Sequence, residues 1–419
     1  MKKVILIIIV LIFTVLNSNS QGWQMLNSGT SSTLNSVFFI NMNTGYVCGT
    51  AGTIIKTTNG GLNWILLNST VAVTLKDILF ADELTGYCSG DMGIIKTTNS
   101  GLSWNNVFVT QSNKLAFAEG TIIVGTQNSG IHRSSDGGQT WNSIYMTSTQ
   151  VNGIYFNNSN TGQAMGNNGL QVRTTNGGVN WLIGGAWFPG TYNFGECYFS
   201  AAGTGYVTYS YNSGWPNYSS SYGIYKGTWS QGGSSWSMVY SNISASLPGM
   251  SFPTNDTGYT VGGSFSQSLI LKTINGGASW EPQAFTVNYL LYDVYFLNTK
   301  TGYAAGRNGT IIKTTNGGVV DIVPLSSSIP DKFSLSQNYP NPFNPTTKIR
   351  FEISGSSVAQ TFLSVYDLLG REFATLVNEE LKPGTYEVDW NASNFPRGVY
   401  FYRLRAGSFT VTKKIVLVK

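Results

Sequence analysis

The chain has 419 residues, enough for two or three domains with cores of their own, yet only 10% of them are charged. Ordinary globular domains carry about 25%; here Gly, Ser, Thr, Asn and aromatic residues fill the deficit, which points to many short strands joined by tight turns. The net charge of +5 is uneven, because residues 21–330 hold 11 Lys/Arg and 11 Asp/Glu; that neutral body offers no basic face to nucleic acid.

The first segment reads as a signal peptide, residues 1–20. Lys2 and Lys3 precede an apolar run, Val4 to Leu16, too short to be a good membrane span. Ser18 and Ser20 are small residues at the −3 and −1 positions, so the mature chain is expected to begin at Gln21. Sec export to the periplasm follows, with no lipid anchor and no transmembrane span in the mature chain.

From residue 21 to 322 one hairpin recurs. Lys56-Thr-Thr-Asn-Gly-Gly-Leu-Asn-Trp64 returns at Lys96–Trp104, Arg133–Trp141, Arg173–Trp181 and Lys272–Trp280. A degenerate copy runs from Lys226 to Trp236, and Lys313–Gly318 stops before its tryptophan. Each unit of roughly 40 residues divides into four short strands, in the first repeat 34–40, 45–49, 53–58 and 64–67, with Asn59-Gly60-Gly61 supplying the positive-φ turn. Four antiparallel strands per repeat make a propeller blade, which buries its faces only by stacking on other blades. Asp321 stands where the seventh tryptophan belongs. Trp23-Gln24-Met25-Leu26-Asn27-Ser28, however, repeats the spacing of Trp64-Ile65-Leu66-Leu67-Asn68-Ser69. The N-terminal strand is therefore expected to complete the last blade, giving seven blades and no open sheet edge.

Ser134-Ser-Asp136-Gly-Gly-Gln-Thr140-Trp141 resembles the Asp-box (BNR-like) hairpin of sialidases, sortilin-type domains and some glucanases. The whole unit, with Thr44-Gly45-Tyr46 and Thr301-Gly302-Tyr303 before the second strand, more closely resembles propellers of the photosystem II assembly-factor type. The resemblance implies fold rather than function, and implies that the hairpins are scaffold.

Periodicity ends at Gly318. Residues 323–332, with Pro324, three serines and Pro330, read as a linker. The remainder, 333–419, strongly resembles the type A C-terminal sorting domain of the type IX secretion system. The resemblance rests on Asn338-Tyr-Pro-Asn-Pro-Phe-Asn344, Val365-Tyr-Asp367-Leu-Leu-Gly370, Leu381-Lys-Pro-Gly-Thr-Tyr386, Pro396-Arg-Gly-Val-Tyr-Phe-Tyr402 and Lys413-Lys-Ile-Val-Leu-Val-Lys419. It implies a small β-sandwich recognised by the outer-membrane translocon, and a product released or held at the cell surface. The fold expected for the chain is thus all-β, a seven-bladed propeller followed by that sandwich.

Catalytic chemistry finds little support. The chain's single histidine, His132, stands in a strand before a hairpin, and a serine triad needs a positioned base. Arg133 and Arg173 occupy the hairpin's own basic position, so the arginine cluster that grips a carboxylate in sialidases is missing. No phosphate loop or cofactor motif is present, and no cofactor is expected. Aligning the inner strands on Phe39, Phe80, Phe117, Phe156, Phe199, Phe252 and Phe296 sets Ser36, Asp77, Lys114, Gly153, Glu196, Gly249 and Asp293 around the channel mouth. Asp77, Glu196 and Asp293 are the candidate acids of a glycan hydrolase or a cation site, or short polar groups that satisfy backbone at a strand start. The stronger expectation is binding of a glycan or surface protein where repeat five is stretched. Its entering connector carries Trp187, Phe188 and Tyr192; its loop between second and third strands carries Tyr211, Trp215 and Tyr218.

Cys48, Cys88 and Cys197 cannot all pair. Cys48 and Cys88 lie one step out of register in neighbouring repeats, on opposite strand faces, so neither a disulfide framework nor a metal site is expected.

Overall fold

The computed structural model describes residues 22–418, apart from 184–191, 201–202, 213–219, 231–232, 243, 265, 284, 286, 319–321, 327 and 393–394. The described residues form nine four-stranded antiparallel sheets, seven of which are blades. Blade one is Leu34–Phe39, Gly45–Gly49, Ile54–Thr57 and Ile65–Leu67, from channel to rim. Blade seven takes Leu291–Phe296, Gly302–Gly306 and Ile311–Thr314 from one end of the repeat array and its outer strand, Gln24–Leu26, from the other. Gln24 lies opposite Lys313 and Leu26 opposite Ile311. Trp23 is fully buried, edge-on to Phe296 with centroids 5.7 Å apart.

The residues that define the repeat are those that join blades. The tryptophan of the outer strand meets the inner-strand phenylalanine edge-on, as in Phe39–Trp64, Phe80–Trp104 and Phe156–Trp181. Several of those phenylalanines stack flat on the tyrosine of the preceding blade: Phe80 on Tyr46 at 3.9 Å, Phe296 on Tyr259 at 3.7 Å and, across the seam, Phe39 on Tyr303 at 3.7 Å. The glycine before the tyrosine has no alternative, since a Cβ on Gly45 would come within 2.5 Å of the Phe39 ring. Tyrosine and lysine then donate together to one carbonyl in the next blade's turn. Tyr87 Oη and Lys96 Nζ reach Gly137 O at 3.0 and 2.7 Å, and Tyr303 Oη and Lys313 Nζ reach Gly60 O at 3.0 and 2.8 Å, which closes the ring from blade seven to blade one. Within each turn a hydroxyl replaces missing backbone bonds: Thr57 Oγ1 accepts from Gly61 N and donates to Asn59 Oδ1. Ser134 and Asp136 do the same work in the third repeat.

Cys48 and Cys88 are fully buried in one cluster between blades one and two, both as free thiols, and burial with the neighbouring Cys88 raises the Cys48 pKa well above the usual value. Opposite strand faces of successive blades are the two sides of a single interface, so the register offset that seemed to separate the cysteines brings them together.

The stretch expected to begin the linker is partly strand. Ile322–Ser326 pairs with Gly384–Asn391 at the edge of the tail's first sheet, where Pro324 costs no ladder bond. The tail's two sheets enclose a core that includes Phe343, Phe351, Leu363, Trp390 and Tyr402. The Asn-Tyr-Pro-Asn-Pro-Phe run is clamped from inside: Asn338 N donates to Tyr402 Oη at 2.8 Å, and Asn338 Nδ2 donates to Pro340 O and Thr347 Oγ1.

Candidate functional site

All seven inner strands slip register just before or beside the aligned channel position, between Leu34 and Ser36, Leu75 and Asp77, Ser112 and Lys114, Val151 and Gly153, Phe194 and Cys197, Ser246 and Gly249, and Leu291 and Asp293. Such a bulge leaves one backbone N–H without a ladder partner and re-aims the adjacent side chain. The structure uses both consequences. Asp77 Oδ2 accepts from Leu115 N of the next blade at 2.8 Å, and Asp293 Oδ2 accepts from Val37 N across the seam at 2.9 Å. Ser36 Oγ fills the same place more loosely, 3.4 Å from Ile78 N, while donating to Asp77 Oδ1 at 2.9 Å.

Asp77, Glu196 and Asp293 all line the central channel, a cavity of about 370 Å³. Lys114 Nζ stands between two of them, 3.2 Å from Asp77 Oδ1 and 2.9 Å from Glu196 Oε2. Burial works against the Lys114 ammonium, but the three carboxylates outweigh it and raise its pKa well above the usual value. Burial pushes the Glu196 carboxyl up to about 7, opposed by Lys114 and helped by Asp293 and Asp77. Asp293 is also raised by burial, with Lys114 and the Val37 N–H pulling it back. The sequence placed Lys114 in this ring without giving it a role; its role is to neutralise neighbours contributed by blades two and five.

One residue before the ring, the repeat carries a second signal that sequence reasoning passed over. Asn35, Asn113 and Asn152 each donate Nδ2 to a carbonyl of the next inner strand, at Leu75, Val151 and Phe194. Blades five and six have Gly195 and Pro248 at that position, which can make no such bridge. A cavity of about 220 Å³ opens there, beside Asn152, Asn193, Ser210, Tyr222 and Pro248.

Blade five departs from the others in strand length. Tyr192–Phe199, Thr204–Asn212, Ser220–Ser230 and Gly233–Asn242 run to 8, 9, 11 and 10 residues, against 6, 5, 4 and 3 in blade one. Tyr211, expected in a loop, is therefore a paired strand residue, as is Tyr222 on the facing strand. Tyr192 and Tyr211 face each other at 4.8 Å, and with Tyr209 and Tyr225 they pack against Phe194 and Met165 on the blade-four side. Trp187, Phe188, Trp215 and Tyr218 lie outside the described residues. His132 is half-buried against Phe108, and Arg133 Nε donates to the Gly177 turn carbonyl at 3.2 Å, the basic position's structural duty.

The model of the family described as photosynthesis system II assembly factor YCF48 matches residues 15–118 and 230–337, about half of the chain. The chain belongs to this family. A second model, the secretion system C-terminal sorting domain, matches residues 337–419. That domain directs export by the type IX secretion system to the cell surface or beyond, and among the described residues no helix is long and apolar enough to cross a membrane. Solved structures of the same fold include a YCF48 bound to D1 peptide, 17% identical over 70% of this chain and 97% of that one, TM-score 0.54. YCF48 from Cyanidioschyzon merolae is 15% identical over 70% of this chain and 98% of that one, TM-score 0.54. An ancestral GH74 enzyme is 15% identical, with TM-score 0.57; 92% of this chain is covered but only 60% of the enzyme. At these identities the likeness establishes fold alone. No curated protein matches the chain.

Proposed function

We propose that the chain is an exported, non-hydrolytic binding protein whose ligand face is the end of the propeller where the inner strands begin. One observation carries this reading. The channel carboxylates are committed to holding blades together, through Leu115 N, Val37 N and Lys114, whereas the repeat is broken at that end by the lengthened strands of blade five and by the cavity beside Gly195 and Pro248. Trp187, Phe188, Trp215 and Tyr218 flank those strands in sequence and are the aromatic residues proposed to contact the ligand, a glycan or a surface protein. A relative of this family bound to a peptide supports binding over chemistry. The leader, residues 1–20, takes the chain through the inner membrane by the Sec route, and the sorting domain takes it through the outer one. The propeller of 21–322 is the working part.

The GH74 likeness favours a second reading, a glycan hydrolase using Asp77, Glu196 and Asp293. The two separate in one experiment. The full chain is incubated with surface polysaccharides and neutral plant glycans while binding and release of reducing ends are followed together. Binding without release supports the first reading. Release that disappears in Glu196→Gln and Asp293→Asn replaces it with the second.

A further inference from the structure

The cavity between blades four, five and six is built by the repeat's own irregularity. At the bulge position Asn35, Asn113 and Asn152 span to the next blade from blades one, three and four, and blades two and seven carry the long side chains of Lys76 and Tyr292. Blades five and six carry only Gly195 and Pro248 there, and the cavity opens beside them. Among the described residues the wall has no Asp, Glu, Lys or Arg, and it sets amides and hydroxyls into a larger apolar surface that includes Phe194, Leu247 and Pro248. Strand pairing sets Asn193, Ser210 and Tyr222 side by side across three strands, Asn193 opposite Ser210 and Ser210 opposite Tyr222. The asparagines are held in place: Asn152 Nδ2 donates to Asn167 Oδ1 at 2.8 Å, and Asn193 Oδ1 accepts from Asn168 N at 3.2 Å. Gly195 lines this cavity and the next residue, Glu196, lines the channel, so the cavity adjoins the channel mouth.

We infer that this cavity is the specificity pocket of the ligand face and takes one uncharged sugar ring of a larger glycan. The inference deepens the reading of that end as the ligand face and rests on it. Fixed amides and hydroxyls offer donors and acceptors in the alternation that neighbouring sugar hydroxyls need, and Tyr222 adds an aromatic wall. The absence of charge along the wall selects against uronic and sialic acids, whose carboxylates would be desolvated with no partner. Pockets that take whole small ligands run from about 300 Å³ upward, so 220 Å³ suits one ring with the rest of the glycan on the surface beyond.

The test uses the full mature chain in calorimetric titration. The probes are neutral manno-, gluco- and xylo-oligosaccharides, oligogalacturonate as the acidic comparator, and an uncharged peptide of similar length. Ser210→Leu fills the cavity and Tyr222→Ala removes its wall; each is checked for an unchanged melting temperature. A variant that fails this check is replaced by Ser210→Thr or Tyr222→Phe. The expected result is binding of at least one neutral oligosaccharide, weakened tenfold or more by Ser210→Leu and by Tyr222→Ala. Neutral-glycan binding untouched by folded variants overturns the pocket and leaves the ligand face standing. Binding of the acidic glycan or the peptide instead overturns the sugar class. No binding of any probe, together with no cell-surface component retained by the immobilised chain, overturns the ligand face as well.

Discussion

Trp23 tests the closure of the ring. Its indole is fully buried against Phe296 and Tyr259, and it stands at the head of the only strand that reaches blade seven from the other end of the propeller sequence. Replacing a buried tryptophan by alanine costs about 3–5 kcal/mol, from lost transfer energy and the cavity left behind. A unit of about 300 residues has an unfolding entropy near 0.6 kcal/mol/K, so Trp23→Ala should lower the melting temperature by roughly 5–8 °C. Trp104→Ala is the control. Its indole is equally buried and meets Phe80 in the same edge-on geometry, but its strand follows directly from its own blade. The two variants should lose similar stability at equilibrium. Only Trp23→Ala should also free the Ile311–Thr314 edge, seen as concentration-dependent association in sedimentation and faster proteolysis near the N-terminus. A melting temperature within 2 °C of the parent, with no association, would refute closure by the N-terminal strand.

Three further outcomes follow from other contacts. Gly302→Ala places a Cβ 2.6 Å from the Phe296 ring and should cost about 1–3 kcal/mol by overpacking, read in urea unfolding; a neutral result would mean the ring shifts freely. Glu196 has a folded-state pKa raised to about 7 from 4.5, so its contribution is fully present below the unfolded value and is lost as pH rises through 7. The melting temperature should therefore fall between pH 5 and 8, and Glu196→Gln should flatten that slope; equal slopes in parent and variant would contradict the assignment. Tyr402→Phe leaves Asn338 N and Ser336 O without their partner inside the sorting domain and should cost about 1–3 kcal/mol, with reduced export measured in culture supernatant; unimpaired folding and export would mean the clamp is dispensable.

The sequence made the scaffold legible because each repeated residue has a duty between blades. Lysine and tyrosine share a carbonyl, glycine yields to a phenylalanine ring, and the displaced tryptophan at position 23 exposes the seam. What it hid were features set by backbone geometry rather than side-chain pattern. The bulges that aim Asp77 and Asp293 at neighbouring amides carry no residue signature beyond a polar residue at one position. Tyr211 read as loop because its serine and asparagine neighbours are turn formers, yet backbone pairing of Tyr209–Asn212 with Ser220–Gly223 continues through it. The Cys48–Cys88 contact escaped because strand faces were compared within one sheet, when the interface lies between two.

The seam has a consequence for permuted chains. Gly22 and Gly318 touch, so closely that a Cβ on Gly22 would lie 2.1 Å from Gly318 O. The two ends of the propeller sequence therefore meet in one blade, and the break between them is a matter of bookkeeping in the gene, not of geometry in the ring. A short bridge joining them would permit the termini to be reopened at any exposed turn between other blades, with the circle unchanged. The natural position of the break has its own effect. The strand made first cannot find its partner until the seventh blade has been synthesised, so the newly made chain remains an open arc of blades until its final strands arrive, and only then is there a circle to lock.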